Sequence, residues 1–381
     1  MGYLHSYISN IGQKSLKEIP FSEVDGLILS MVSLIDVKNA IPDTSSTHKR
    51  SFHKVMDNQY KFHKKKQFGF ILNKRISDMV FEASACHRLK HLKMYNAEVI
   101  IDEEKVTQST FFMCDLNENT TVVIFGSTDD SIVGWKEDFD MMYKSDVPCL
   151  ENAVDYVNKY CNEDKEYIFV GHSKGGLESL YAAAFCQDSV FNKLKCAYSF
   201  DGPGYSVKTL LKVPTYRKSK MLLYVPSEGV VGRFFYEMVP PVIIHSRTCG
   251  LQTHDPLTWL IDKTKFKRDI QFSKGSDEIN KQIDEIMFDY DTKYKKRFVE
   301  SLFSVLYAGN SKTLTDIGLH PHRGLKIFLG LKQKDRKLIL KLFNQLLVNK
   351  IVRKELMLGF LDVFNVNGLK MVDRKWDNEK K

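Results

Sequence analysis

Tyr167-Ile168-Phe169-Val170-Gly171-His172-Ser173-Lys174-Gly175-Gly176 is an apolar run that ends in a G-x-S-x-G pentapeptide and one further glycine. The glycines have a steric reason. A nucleophilic serine at the tip of a sharp strand-to-helix turn sits in a strained backbone conformation, and side chains two residues to either side would collide. The segment after it, Gly-Leu-Glu-Ser-Leu-Tyr-Ala-Ala-Ala-Phe, has helical character. Its small residues Gly176, Ala182, Ala183 and Ala184 let that helix pack close to a sheet. Strand, turn and helix together make Ser173 a candidate nucleophile; the plainer alternative is a glycine-rich turn with an incidental serine.

Outward from this turn the pattern alternates. Thr121-Val-Val-Ile-Phe reads as a short strand covered on both faces, 147–162 as a helix, 166–170 as a strand and 174–186 as a helix. Further strands are expected at 196–200, 221–225 and 242–245. Upstream, 96–102 and 106–114 are β-rich with a turn between them. A helix is expected over 21–36, with Ser22 as its cap and Asp25 three residues on, and another over 72–87. The residues 41–66, with Pro42 and a Ser/Thr cluster, read as a loop or lid-like excursion. Beyond about Thr258 the β signal fades, and 277–307 and 334–358 carry long helical patterns. The expected class is α/β: a mainly parallel central sheet flanked by helices, with a helical C-terminal extension. The expected division is a catalytic domain over 1–260, with a basic insertion at about 38–68, and a helical extension over 261–381.

Composition limits the alternatives. The 381 residues are 43% hydrophobic and 27% charged, enough apolar material for a large core and too little charge for a disordered chain. No apolar run reaches the ~18–20 residues that a membrane helix needs, and no secretory signal is visible in the first twenty residues. The seven cysteines are scattered without a C-x-x-C pair, which suits reduced thiols in a cytoplasm and suggests neither zinc nor a disulfide framework. The net charge of +9 is concentrated between Lys38 and Arg75, where ten Lys/Arg face two aspartates. Such a segment is either a solvated insertion or a peripheral contact with an anionic surface; it carries no signature of specific nucleic-acid binding.

A serine hydroxyl needs a base. His254, in Leu-Gln-Thr-His-Asp-Pro-Leu-Thr-Trp, lies in a loop after the last candidate strand and before a Pro-started helix; His245 ends a strand and reads as structural, and His320 and His322 fall in the helical tail. The orienting acid is open between Asp201, in Tyr-Ser-Phe-Asp-Gly-Pro-Gly, and Glu228, in Tyr-Val-Pro-Ser-Glu-Gly. Asp201 is preferred, although an aspartate there also suits a turn cap. The backbone N–H of Lys174 offers one oxyanion donor. Thr128, in Phe125-Gly-Ser-Thr-Asp-Asp, offers a second through its amide and its hydroxyl.

These motifs, with Gly134-Trp-Lys-Glu-Asp-Phe, resemble in order a bacterial family of α/β hydrolases related to class 3 lipases. The likeness runs from Glu23-Val-Asp-Gly-Leu-Ile-Leu-Ser to the helical tail. It implies a lipase-like sheet, a Ser173-based site, Thr128 at the lipases' oxyanion threonine and Asp201 as the acid typical of the smaller family. Two departures stand out: Gly126-Ser127 where the lipases have Arg-Gly, and Ser227-Glu228 where they place an aspartate after a strand. The expected function is cleavage of a carboxylic ester, from a lipid or another small acyl ester, through an acyl-serine, with no metal and no cofactor. Acyl transfer or amide cleavage at the same serine, and a non-catalytic hydrolase-like binding module, are the alternatives.

Overall fold

Eight strands form one sheet in the order of the chain: β1 (Arg50–Ser51), β2 (Lys93–Asp102), β3 (Thr107–Asp115), β4 (Thr120–Phe125), β5 (Glu166–His172), β6 (Leu194–Phe200), β7 (Met221–Pro226) and β8 (Pro241–Ile244). The computed structural model describes residues 2–63, 75–319 and 321–347. β1 to β4 pair antiparallel, and β4 to β8 pair parallel. The α/β class with a mainly parallel sheet flanked by helices, and helices towards the C-terminus, is therefore the observed architecture.

Alternation along the central strands builds two cores. Val122 and Ile124 of β4 join Ile168 and Val170 of β5 on one face, under helices Glu23–Met31 and Ile76–Ala85. Val123 and Phe125 join Tyr167 and Phe169 on the other, under helices Pro148–Tyr160 and Lys174–Phe185. Because both faces are covered, these strands read as unbroken apolar runs. Ser22 and Asp25 close the expected capping box at the start of Glu23–Met31. That helix is tied to distant chain: Glu23 accepts from the Phe266 amide at 2.7 Å, from Arg268 at 2.7 Å and from the Tyr224 hydroxyl at 2.9 Å.

Three stretches differ from expectation. The segment read as a loop contains helix Phe52–His63, because Phe52, Val55 and Met56 make a buried stripe at helical spacing beneath the basic residues. Within this segment, Lys49 is paired with Asp115 at 2.6 Å and Arg50 donates to the Ala40 carbonyl. Lys64, Lys65, Lys66 and Lys74 lie outside the described residues. Past 258 the chain adds the small ladder β9 (Ile261–Asp262) with β10 (Lys265–Phe266). The pattern at 277–307 divides into helices Lys274–Asp289 and Thr292–Leu306, because Tyr290 is extended and Asp291 caps the second helix by accepting from the Tyr294 amide at 2.7 Å. Of the expected 334–358 helix, Gln333–Leu347 is observed and the rest lies outside the described residues.

A third apolar cluster joins Ile132, Trp135 and Phe139 to Phe298, Leu302 and Phe303. It seats the C-terminal helices on helix Ile132–Asp140, which follows the loop carrying Thr128.

Candidate active site

Ser173 stands between β5 and helix Lys174–Phe185 with φ 59° and ψ −128°, a region costly for a residue with a side chain. Packing holds it there. A Cβ on Gly171 would lie 2.0 Å from the Gly175 carbonyl oxygen, and a Cβ on Gly175 would lie 2.1 Å from the Phe125 carbonyl oxygen. The turn is thus wedged against the end of β4, and the two glycines are steric requirements. The Ser173 amide donates to the Phe200 carbonyl at 3.0 Å, which fixes the turn to β6 as well. Ser173 is half-buried, and among the described residues its hydroxyl has no hydrogen-bond partner.

Asp201 begins the loop after β6, and His254 ends a single 3-10 turn, Gly250–His254, after β8. The structure brings them together across 53 residues of sequence: His254 Nδ1 lies 2.7 Å from Asp201 Oδ2, with both side chains buried. The other oxygen, Oδ1, accepts from the Gly232 amide at 2.9 Å. An ionised carboxylate can only accept, so Nδ1 carries the ring proton and Nε2 of the neutral ring is left with a lone pair. Burial raises the Asp201 carboxyl to about 7, opposed by the nearby His172 and the Gly232 amide. Burial also pushes the His254 pKa down, so the resting ring is neutral.

Glu228 does not join this pair. Its Oε2 accepts from the Ser273 hydroxyl at 2.7 Å at the start of helix Lys274–Asp289. His245 is paired with Asp269 at 3.0 Å. His320 lies outside the described residues, and so does the His322 side chain.

His172, a residue the sequence reading left without a role, links the serine turn to His254. Its Nε2 donates to the His254 backbone carbonyl at 3.0 Å, and the two rings face each other at 4.5 Å between centroids. Ser127 completes the link, its hydroxyl donating to the His172 carbonyl at 2.8 Å and lying 3.3 Å from Nδ1. Burial pushes the His172 pKa down to about 3, and a proton on the neighbouring His254 acts in the same direction. The signal in the sequence was only its place inside the pentapeptide.

Lys174 is the first residue of its helix, so its amide has no intrahelical acceptor. Thr128 differs from expectation in one respect: its hydroxyl donates to Asp138 Oδ2 at 2.7 Å and is committed there. Its amide makes no hydrogen bond among the described residues and is the donor it has to offer. Asp138 and its neighbour Glu137 were quoted in a motif without a role; both meet the Lys174 side chain.

A cavity of about 250 Å³ lies between residues 141–147, 205–207, 235–236 and the ends of helices Lys274–Asp289 and Thr292–Leu306. None of the expected site residues lines it. Among the described residues no group of three or more His, Cys, Asp or Glu is placed to hold a metal ion, and no helix is long and apolar enough to cross a membrane.

Among known protein families, the Mbeg1-like family model matches residues 83–304, more than half of the 381-residue chain. The chain belongs to the Mbeg1-like family. Mbeg1-like proteins form a lipase-like family, and the matched span includes Thr128, Ser173, Asp201, Glu228 and His254. The Glu23 motif, read above as part of the family likeness, lies before the Mbeg1-like span. No curated protein and no solved structure matches the chain.

Proposed function

We propose that the protein is a cytoplasmic serine hydrolase that cleaves a carboxylic ester, of a lipid or another acyl compound, through an acyl-serine. The observation that carries the reading is the buried Asp201–His254 pair joined through His172 to the strained Ser173 turn. Ser173 Oγ attacks the ester carbonyl while His254 Nε2 takes its proton. Asp201 holds the ring in the Nδ1–H tautomer and stabilises the imidazolium that forms. The amides of Lys174 and Thr128 receive the developing oxyanion, and the imidazolium then protonates the leaving alcohol. Water, activated by the same histidine, releases the acid. No step calls for a metal or a cofactor.

Labelling with a fluorophosphonate tests the nucleophile. Wild type is expected to label and to hydrolyse nitrophenyl esters, and Ser173→Ala to do neither. Equal labelling of the two proteins refutes the assignment; absence of both activities in wild type favours a non-catalytic binding module. Rates over a series of acyl chain lengths then define the substrate class.

A further inference from the structure

Behind the serine turn lies a buried ion pair that the reaction above does not use. The Lys174 side chain is 3% exposed, and its Nζ lies 2.5 Å from Glu137 Oε2 and 3.7 Å from Asp138 Oδ1. Glu137 is fully buried and holds three elements together. Its Oε2 also accepts from the Gln108 amide of β3 at 2.9 Å, and its Oε1 accepts from the Cys149 amide of helix Pro148–Tyr160 at 2.8 Å. Asp138 in turn accepts the Thr128 hydroxyl. One polar chain therefore runs from the residue after the nucleophile to the threonine of the opposite loop.

Stability alone gives little reason for such a chain. A buried ion pair replaced by apolar side chains of similar volume is often as stable or more so. Most of the helix that begins with Lys174 is buried by apolar and small residues, including Leu177, Leu180, Ala182 and Ala183. The one acid on this helix, Glu178, is pushed well above the ordinary carboxyl range by burial, which disfavours its charged form. What a short ion pair supplies beyond packing is a fixed distance and direction between the two elements that carry it.

We infer that Lys174 and Glu137 form a positioning pair, which locks the first turn of helix Lys174–Phe185 to helix Ile132–Asp140 so that the Lys174 and Thr128 amides converge on one oxyanion. The inference rests on the serine-hydrolase reading. Neither side chain touches a reacting atom; both act through the backbone donors. A displacement of about 1 Å at a reacting centre costs on the order of 100-fold in rate, and the loss belongs to kcat, because the oxyanion exists only in the transition state.

The test compares the full-length wild type with Lys174→Met, Glu137→Gln and the double variant. It uses nitrophenyl butyrate turnover, fluorophosphonate labelling rate and thermal melts. Each single variant is expected to lose roughly 10- to 100-fold in kcat and labelling rate with KM nearly unchanged, and to melt lower because the remaining buried charge loses its nearest partner. The double variant is expected to regain part of the melting temperature without regaining kcat, since the Lys174 and Glu137 charges are then removed together. A folded double variant with wild-type kcat overturns the inference and makes the pair merely structural. Should the double variant fail to fold, Lys174→Arg decides: kcat reduced with KM kept supports positioning, and wild-type kcat overturns it. A wild type that neither labels nor turns over removes the serine-hydrolase reading itself, and the inference with it.

Discussion

Asp201→Asn is the perturbation that examines the site most closely. The Gly232 amide, 2.9 Å from Oδ1, can only donate, so it will draw the Asn carbonyl oxygen to that side. The Asn NH2 group then faces His254 Nδ1, where the carboxylate oxygen now lies at 2.7 Å. Nδ1 must accept from it, and the ring proton moves to Nε2, the nitrogen that has to take the serine proton. A tautomer reversal of this kind costs about 10⁴-fold in kcat, which is about 5 kcal/mol of transition-state stabilisation. Stability should move the other way. The Asp201 carboxyl is raised to about 7 by burial, so above that pH the folded protein holds a carboxylate that the unfolded chain solvates better. That penalty fades as pH falls from about 7 towards the ordinary value near 4. Asn carries no such penalty, so at pH 8 the variant should unfold at equal or higher urea concentration while its esterase rate collapses. Nitrophenyl ester hydrolysis by enzyme of matched folded content measures the first effect, and urea titration the second. Activity within 10-fold of wild type in Asp201→Asn, together with a collapse in Glu228→Gln, would refute the reasoning and move the acid to Glu228.

Three further outcomes are expected. Ser173→Gly should unfold at higher urea concentration than Ser173→Ala, by roughly 1–2 kcal/mol, because only glycine is relieved of the strain at φ 59°; equal stabilities would mean that the turn is unstrained. Gly175→Ala should destabilise the fold by more than about 3 kcal/mol, since its Cβ would sit 2.1 Å from the backbone oxygen of Phe125; an unchanged melting curve would contradict the wedge. His172→Gln should gain stability relative to wild type on acidification. The folded ring stays neutral down to about 3 while the unfolded ring protonates below about 6.5, so wild type loses about 1.4 kcal/mol per pH unit from this group. Urea midpoints at pH 7.5 and pH 4.5 measure the difference, and a constant difference would exclude a buried neutral His172.

Much of this arrangement was legible because local rules act on short stretches. The strand before Ser173, the glycine spacing and the small residues after it are decided within about twenty positions, and β4 to β8 fall within a few residues of their expected limits. Helix Phe52–His63 was hidden because its apolar stripe is narrow and its basic residues dominate the composition. The different surroundings of Asp201 and Glu228 could not be read locally. Each follows a strand, and what separates them is where the next loop returns, with Ser273 meeting one and His254 the other. The Lys174–Glu137 contact was equally out of reach, because a charge in a short motif looks solvated until a partner 37 residues away comes to cover it.

The seating of the C-terminal helices beside the Thr128 loop bears on the order in which the molecule is completed. The Ile132 amide donates to the Lys312 carbonyl and the Leu314 amide to the Asp130 carbonyl, while Ser131 and Thr313 form an isolated bridge. Closing contacts this distant in sequence is slow relative to closing local turns. A chain emerging from the ribosome can therefore form β4, β5 and the serine turn well before residue 314 arrives to brace the loop opposite them. The serine turn can thus be in place before the segment that braces the loop carrying Thr128 has been made.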